Sequence, residues 1–155
     1  MQPISSIKIG WKVMLAMGIY LAALGFFLVA APQTAFEEGF AAFTGNSWTN
    51  FASANAEPSE LFLIMQKFVG ANVLSAAVLV IGITLTSYRK GQKWSWYTLL
   101  IGSIIGWGSC LTFHATIGIR ETLMGGLISI IGTIIFIIAI ALPAKAILGK
   151  KAAGK

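Results

Sequence analysis

The chain has 155 residues, 57% of them hydrophobic and only 10% charged, with a formal net charge of +6 and a mean hydropathy of +0.83. A soluble domain carries about 25% charged residues, so the composition excludes an ordinary water-soluble globule and points to the membrane class. The positive balance does not point to nucleic acid, because the basic residues flank long apolar runs and form no stripe interleaved with base-stacking aromatics.

Four apolar runs predict four membrane-spanning helices, at about 11–31, 60–88, 94–116 and 121–147. Each is close to the roughly 20 residues that a bilayer crossing needs. The expected fold is all-α: an integral membrane four-helix up-down bundle in a single membrane domain over 1–155, with a short interfacial helix in the first outer loop, 32–59. The first run has a basic start in Lys8 and Lys12, as a secretory signal does. Its apolar stretch from Val13 to Ala31 exceeds the 7–15 residues of a signal core, and it reads as a retained helix.

Pro32 ends the first run. In the outer loop Phe36, Phe40 and Phe43 recur at steps of four and three and share one face of a helix, with Glu37 and Glu38 turned elsewhere. Gly45-Asn46-Ser47 reads as a turn, followed by Trp48 and Phe51. Pro58, between Glu57 and Glu60, suits the first turn of a helix, so the second spanning helix is expected to begin near Pro58 and project beyond the membrane. Phe36, Phe40, Phe43 and Trp48 have two readings: a lid packed on the bundle or in lipid headgroups, or a docking surface for another subunit.

The inner loop between the second and third runs carries Arg89, Lys90 and Lys93, followed by the interfacial aromatics Trp94, Trp96 and Tyr97. The third run contains Gly102 and Gly106, a GxxxG pair that marks a close helix contact, within the chain or with another copy. Gly18 and Gly25 lie a heptad apart on the first run, Gly125, Gly126 and Gly132 thin the fourth, and Pro143 is expected to kink or end it. Lys8 and Lys12, the inner loop, and Lys145, Lys150, Lys151 and Lys155 are the basic segments. Residues 32–59 hold no Lys or Arg, and the positive-inside rule predicts that both termini are cytoplasmic.

Six polar residues are candidate ligand-binding groups: Gln66, Lys67, Asn72, His114, Arg120 and Glu121. Counting up from Tyr88 and Trp94 at about 1.5 Å per residue puts Lys67 and His114 roughly 30 Å away, at the outer interface with Arg120 and Glu121. Such groups could hold an anionic headgroup or a quinone carbonyl. They equally suit snorkelling side chains, a helix cap at His114 and an interhelical contact at Asn72. A lone His and the absence of Asp leave too few ligands for a metal, and no spacing assembles a nucleophile with its base, so no catalytic or metal-ligating residue is assigned. Cys110 is the single cysteine, which excludes a disulfide or CxxC pair within the chain and reads as a packed thiol.

Val29-Ala30-Ala31-Pro32 at the end of the first helix, the long outer segment, the Gly- and Ala-rich second helix and the inner turn Tyr88-Arg89-Lys90-Gly91-Gln92-Lys93-Trp94-Ser95-Trp96 resemble small four-span DoxX-like prokaryotic membrane proteins. That resemblance implies a four-helix bundle. Some members of the group are linked to quinone-associated oxidoreductase complexes, but no motif carries a functional residue over to this chain. The expected function is a non-catalytic accessory or structural subunit of a larger membrane complex in the plasma membrane. Its partners would be the lipid bilayer and either other membrane subunits or copies of itself, with no nucleic acid. The alternatives are a quinone- or lipid-binding bundle associated with an oxidoreductase, and a small transporter or channel. No cofactor is specified by the sequence.

Overall fold

The computed structural model describes residues 3–117 and 123–149. Among these, six α-helices follow one another: α1 (Pro3–Ala30), α2 (Pro32–Thr44), α3 (Trp48–Ala54), α4 (Ala56–Thr86), α5 (Lys93–Ile117) and α6 (Leu123–Leu148), with a 3-10 turn at Tyr88–Lys90 between α4 and α5. Four of them, within α1, α4, α5 and α6, are long and apolar enough to cross a membrane. Their outward surfaces suit lipid: Phe26, Phe68, Val78 and Ile105 each stay about two-thirds exposed or more. In water such surfaces would favour burial against another apolar body.

The boundaries have local causes. Pro32 disfavours helical geometry at Ala31, which ends α1, and then supplies the fixed φ that opens α2. Gly45 closes α2 in the left-handed region at φ 70°, its N–H donating to the Ala41 carbonyl. Ser47 caps α3, its Oγ accepting from the Asn50 N–H at 3.2 Å. Gly91, at φ 69°, turns the chain from the 3-10 turn into α5. Sequence reading treats 48–54 as loop; the Ser47 cap and the packing of Trp48 and Phe51 instead make it a helix. The second spanning helix starts at Ala56, two residues before the expected Pro58, which takes a place in its first turn.

The long helices pair in opposite directions. α1 lies against both α4 and α6, and α5 packs chiefly on α6, while α4 and α5 touch at few points. On α1 and α4 the closest approach is glycine on glycine: a Cβ at Gly25 would stand 2.9 Å from the Gly70 carbonyl oxygen, and one at Gly70 would stand 2.9 Å from the Val29 nitrogen. Gly18 likewise admits Ile81. On α5 and α6 the Trp107 indole lies over Gly132, in the space a Cβ would take.

Pro143 neither ends α6, which runs on to Leu148, nor lies exposed. A proline cannot donate to the carbonyl four residues before it, so the Ala139 oxygen loses its helical partner. The Tyr88 hydroxyl donates to that oxygen at 2.7 Å. The Trp96 indole N–H donates to the next carbonyl, Ile140, at 3.1 Å. The proline ring itself packs on Gly10, where a Cβ would lie 2.6 Å from Pro143 Cγ. Tyr88, Trp96, Ala139 and Ile140 belong to the buried core, with Met14, Met17, Leu99, Trp107, Phe136 and Ile147.

These pairings place Lys8, Lys12, Arg89, Lys90, Lys93 and Lys145, all exposed, at the end of the molecule marked by Gly10, Tyr88 and Pro143. Glu37, Glu38, Glu57 and Glu60 belong to the opposite end, with α2, α3 and the start of α4.

Tyr88→Phe should destabilise the protein by about 1–3 kcal/mol, the cost of a buried carbonyl without a partner. In a Pro143→Ala background the restored N–H at position 143 serves Ala139, so the same change should cost much less. Unfolding of the four chains in detergent measures this; an equal cost in both backgrounds would refute the pairing.

Candidate functional site: an aromatic cap and an apolar cleft

At the acidic end, five rings from three helices form one cluster. Phe36 and Phe40 of α2 meet Trp48 of α3 edge-on, each with centroids 5.2 Å apart. Phe51 of α3 lies 4.9 Å from Phe40, and Phe62 of α4 stacks on Phe36 at 5.7 Å. Edge-to-face and offset contacts at these distances add to the gain from burial. Phe40 and Trp48 are buried, so their apolar surface is used inside the chain. Phe43, beyond the cluster near the end of α2, remains 67% exposed. The cap fixes α2 and α3 on α4, and α2 also reaches α1 and α5.

Below the cap, where α4 and α5 diverge, lies a cleft of about 350 Å³. Leu21 and Leu24 of α1 form its floor, Val73, Val80 and Ile83 of α4 one wall, and Leu99, Gly102, Gly106 and Trp107 of α5 the other. Thr98, Ser103 and Cys110 are its polar or weakly polar lining groups. The Cys110 sulfur lies 3.2 Å from the Ser129 hydroxyl of α6, so the thiol is tied to the helix behind it. A cleft of this size falls within the range of small-molecule sites, about 300–1,000 Å³. Its lining offers apolar contact and little hydrogen bonding, which matches a hydrocarbon chain or a helix side rather than a charged substrate.

Gly102 and Gly106 stand out here. A Cβ at either would meet no atom within 4 Å. Gly10, Gly18, Gly25, Gly70 and Gly132 all press on neighbours, so the GxxxG pair differs from the glycines that pack inside the chain.

The polar candidates are dispersed. Lys67 and Asn72 are exposed and Gln66 is half-buried. At about 100° per residue the three leave α4 in different directions. The Asn72 amide N–H donates to the Phe68 carbonyl of its own helix at 2.8 Å. No hydrogen bond or ion pair joins Gln66, Lys67 and Asn72 among the described residues. Arg120 and Glu121 lie outside the described residues, and so does the side chain of His114. Sequence reasoning missed Phe62 as a cap member and the whole cleft. Phe62 sits in an apolar run without a distinguishing pattern, and a cleft between helices distant in sequence leaves no local signal.

Residues 17–87, a little under half of the chain, match a family of unknown function, DUF6199. The similar stretch runs from the middle of α1 through the capped loop to the end of α4. No curated protein and no solved structure matches the chain.

Trp48→Ala should cost about 3–5 kcal/mol, as for a large aromatic removed from a packed site. Phe43→Ala should change stability by less than about 0.5 kcal/mol. Thermal unfolding in detergent separates the two; equal shifts would show that the cap does not fix the loop.

Proposed function

We propose that this chain is a non-catalytic, multi-pass protein of the plasma membrane that acts as an accessory or structural subunit, packing as an up-down bundle against other membrane helices. The observation that carries this reading is the open face of α5, where Gly102 and Gly106 border an apolar cleft and a Cβ added at either would meet no neighbouring element within 4 Å among the described residues. In a lipid environment helices associate through small residues that allow close approach. The gathering of exposed Lys and Arg at the Gly10–Pro143 end supports cytoplasmic termini, with the aromatic cap on the outer side.

A second reading is favoured by the cleft itself. Its volume and apolar lining suit the tail of a lipid or quinone, held between α4 and α5 below the cap. Lys67 is too far around α4 from the cleft-lining Val73 and Val80 to belong to the same face, so this reading rests on the tail rather than on a headgroup.

Native purification in a mild detergent, with total mass and co-purifying proteins identified together, tests the first reading. Other membrane subunits should accompany the wild-type chain in fixed ratio. Gly106→Leu should release them while helicity and thermal stability change little, because the added side chain enters open space. Purification without any other subunit would overturn the accessory-subunit reading. Lipid or quinone then extracted in stoichiometric amount, and lost in Gly106→Leu, would establish the second.

A further inference from the structure

α4 carries a surface that neither the cap nor α1 uses and that borders the cleft only at Leu79. Phe68, Asn72, Ser75, Leu79, Gly82 and Thr86 follow one another at alternating steps of four and three and are all exposed. A 3.5-residue repeat of this kind is the seam along which two helices wind around each other in a left-handed supercoil. The seam lies well round the helix from Gly70, Leu74 and Ile81, which face α1. Ser75 and Thr86 direct their hydroxyls to carbonyls of their own helix, Ala71 and Gly82, and so leave the surface smooth. A Cβ at Gly82 would meet no atom within 4 Å, so intramolecular packing does not account for that glycine.

Asn72 is the informative member. It lies about 16 residues from Tyr88, hence roughly 24 Å along the helix and inside the hydrocarbon layer. One amide N–H is bound to Phe68; the amide oxygen and the second N–H have no partner among the described residues. An amide in this position is costly beside lipid and stabilising against a complementary group.

We propose that a second copy of this chain docks along this seam, with the two α4 helices parallel and Asn72 paired with Asn72 of the partner subunit. An amide is both donor and acceptor, so it is complementary to itself. Copies inserted with one orientation are related by a twofold axis along the membrane normal, which sets each seam residue against its own counterpart at the same depth. Such pairing excludes charge from the seam, and 68–86 has none. A single buried Asn in a supercoiled seam also fixes register and partner number. The proposal rests on the membrane reading above and goes beyond it by naming the partner as the same chain.

The test is cysteine crosslinking of the full chain in native membranes, in a Cys110→Ser background. Ser75→Cys and Gly82→Cys should each give disulfide-linked dimers on mild oxidation. Phe26→Cys should give none: it is exposed at the same depth, since Gly25 abuts Leu74, but lies on α1. Adding Asn72→Leu should lower the dimer yield at position 75 by about three- to thirty-fold, the range of interhelical polar contacts in membranes, whereas Asn72→Gln should retain most of it. Absence of dimers at 75 and 82, or equal yield at 26, would overturn the proposal. A complex with other subunits that holds one copy of this chain would overturn it and leave the accessory-subunit reading standing. Crosslinked dimers with no other subunit would uphold it and remove that reading.

Discussion

The missing hydrogen bond at Pro143 organises one end of this molecule. Proline removes the donor that the Ala139 carbonyl needs, and a buried carbonyl without a partner is costly. The cost is avoided only if another element brings a donor, and Tyr88 does so from the turn that follows α4. Trp96, near the start of α5, serves the adjacent Ile140 carbonyl. Gly10 of α1 makes room for the ring. All four long helices therefore converge on one proline: α6 provides it, α1 seats it, and the connection from α4 to α5 completes its hydrogen bonding. Directional contacts of this kind fix angle and register, which apolar packing alone leaves loosely determined.

The opposite end uses another principle. There the cap holds α2 and α3 on α4 through ring contacts, and α1 and α4 meet backbone to backbone at Gly25 and Gly70. With α1 gripping α4 on one side and α6 on the other, α5 packs chiefly on α6 and touches α4 at few points. The cleft is the space left by that arrangement. Its walls are apolar because α4 and α5 are predominantly apolar along their length.

Much of the fold is legible in the sequence, for a physical reason. Four apolar runs can be little else than long helices, and Pro32, Gly45 and Gly91 punctuate them where backbone geometry requires it. The face shared by Phe36 and Phe40 follows from helical periodicity, and the edge-on contact of both rings with Trp48 shows that spacing carries packing information. Other features resist such reading. A helix that is apolar on every side does not announce which side is inward, so Gly25 and Gly106 look alike in sequence although one touches a neighbour and the other does not. The brief helix at Trp48–Ala54 has too few turns for periodicity to show. Pro143 reads as a helix breaker until the donors from Tyr88 and Trp96, 51 and 44 residues before the carbonyls they serve, are in place. Counting along the helices puts Lys67 at one level with His114, Arg120 and Glu121, but level says nothing of azimuth, and Gln66, Lys67 and Asn72 leave α4 in different directions.

The position of α1 between α4 and α6 bears on how the chain is made. α1 is the first of the long helices to leave the ribosome and α6 is the last. The surface of α1 that carries Gly10, Met14 and the Tyr20 phenol, which donates to Ile128 of α6 at 2.7 Å, must wait through the synthesis of every intervening helix for its partner. The pair formed by α1 and α4 can close early, during translation. The contacts around Pro143 can form only once α6 has been made, so the interlock at that end is the last of these helix contacts to close.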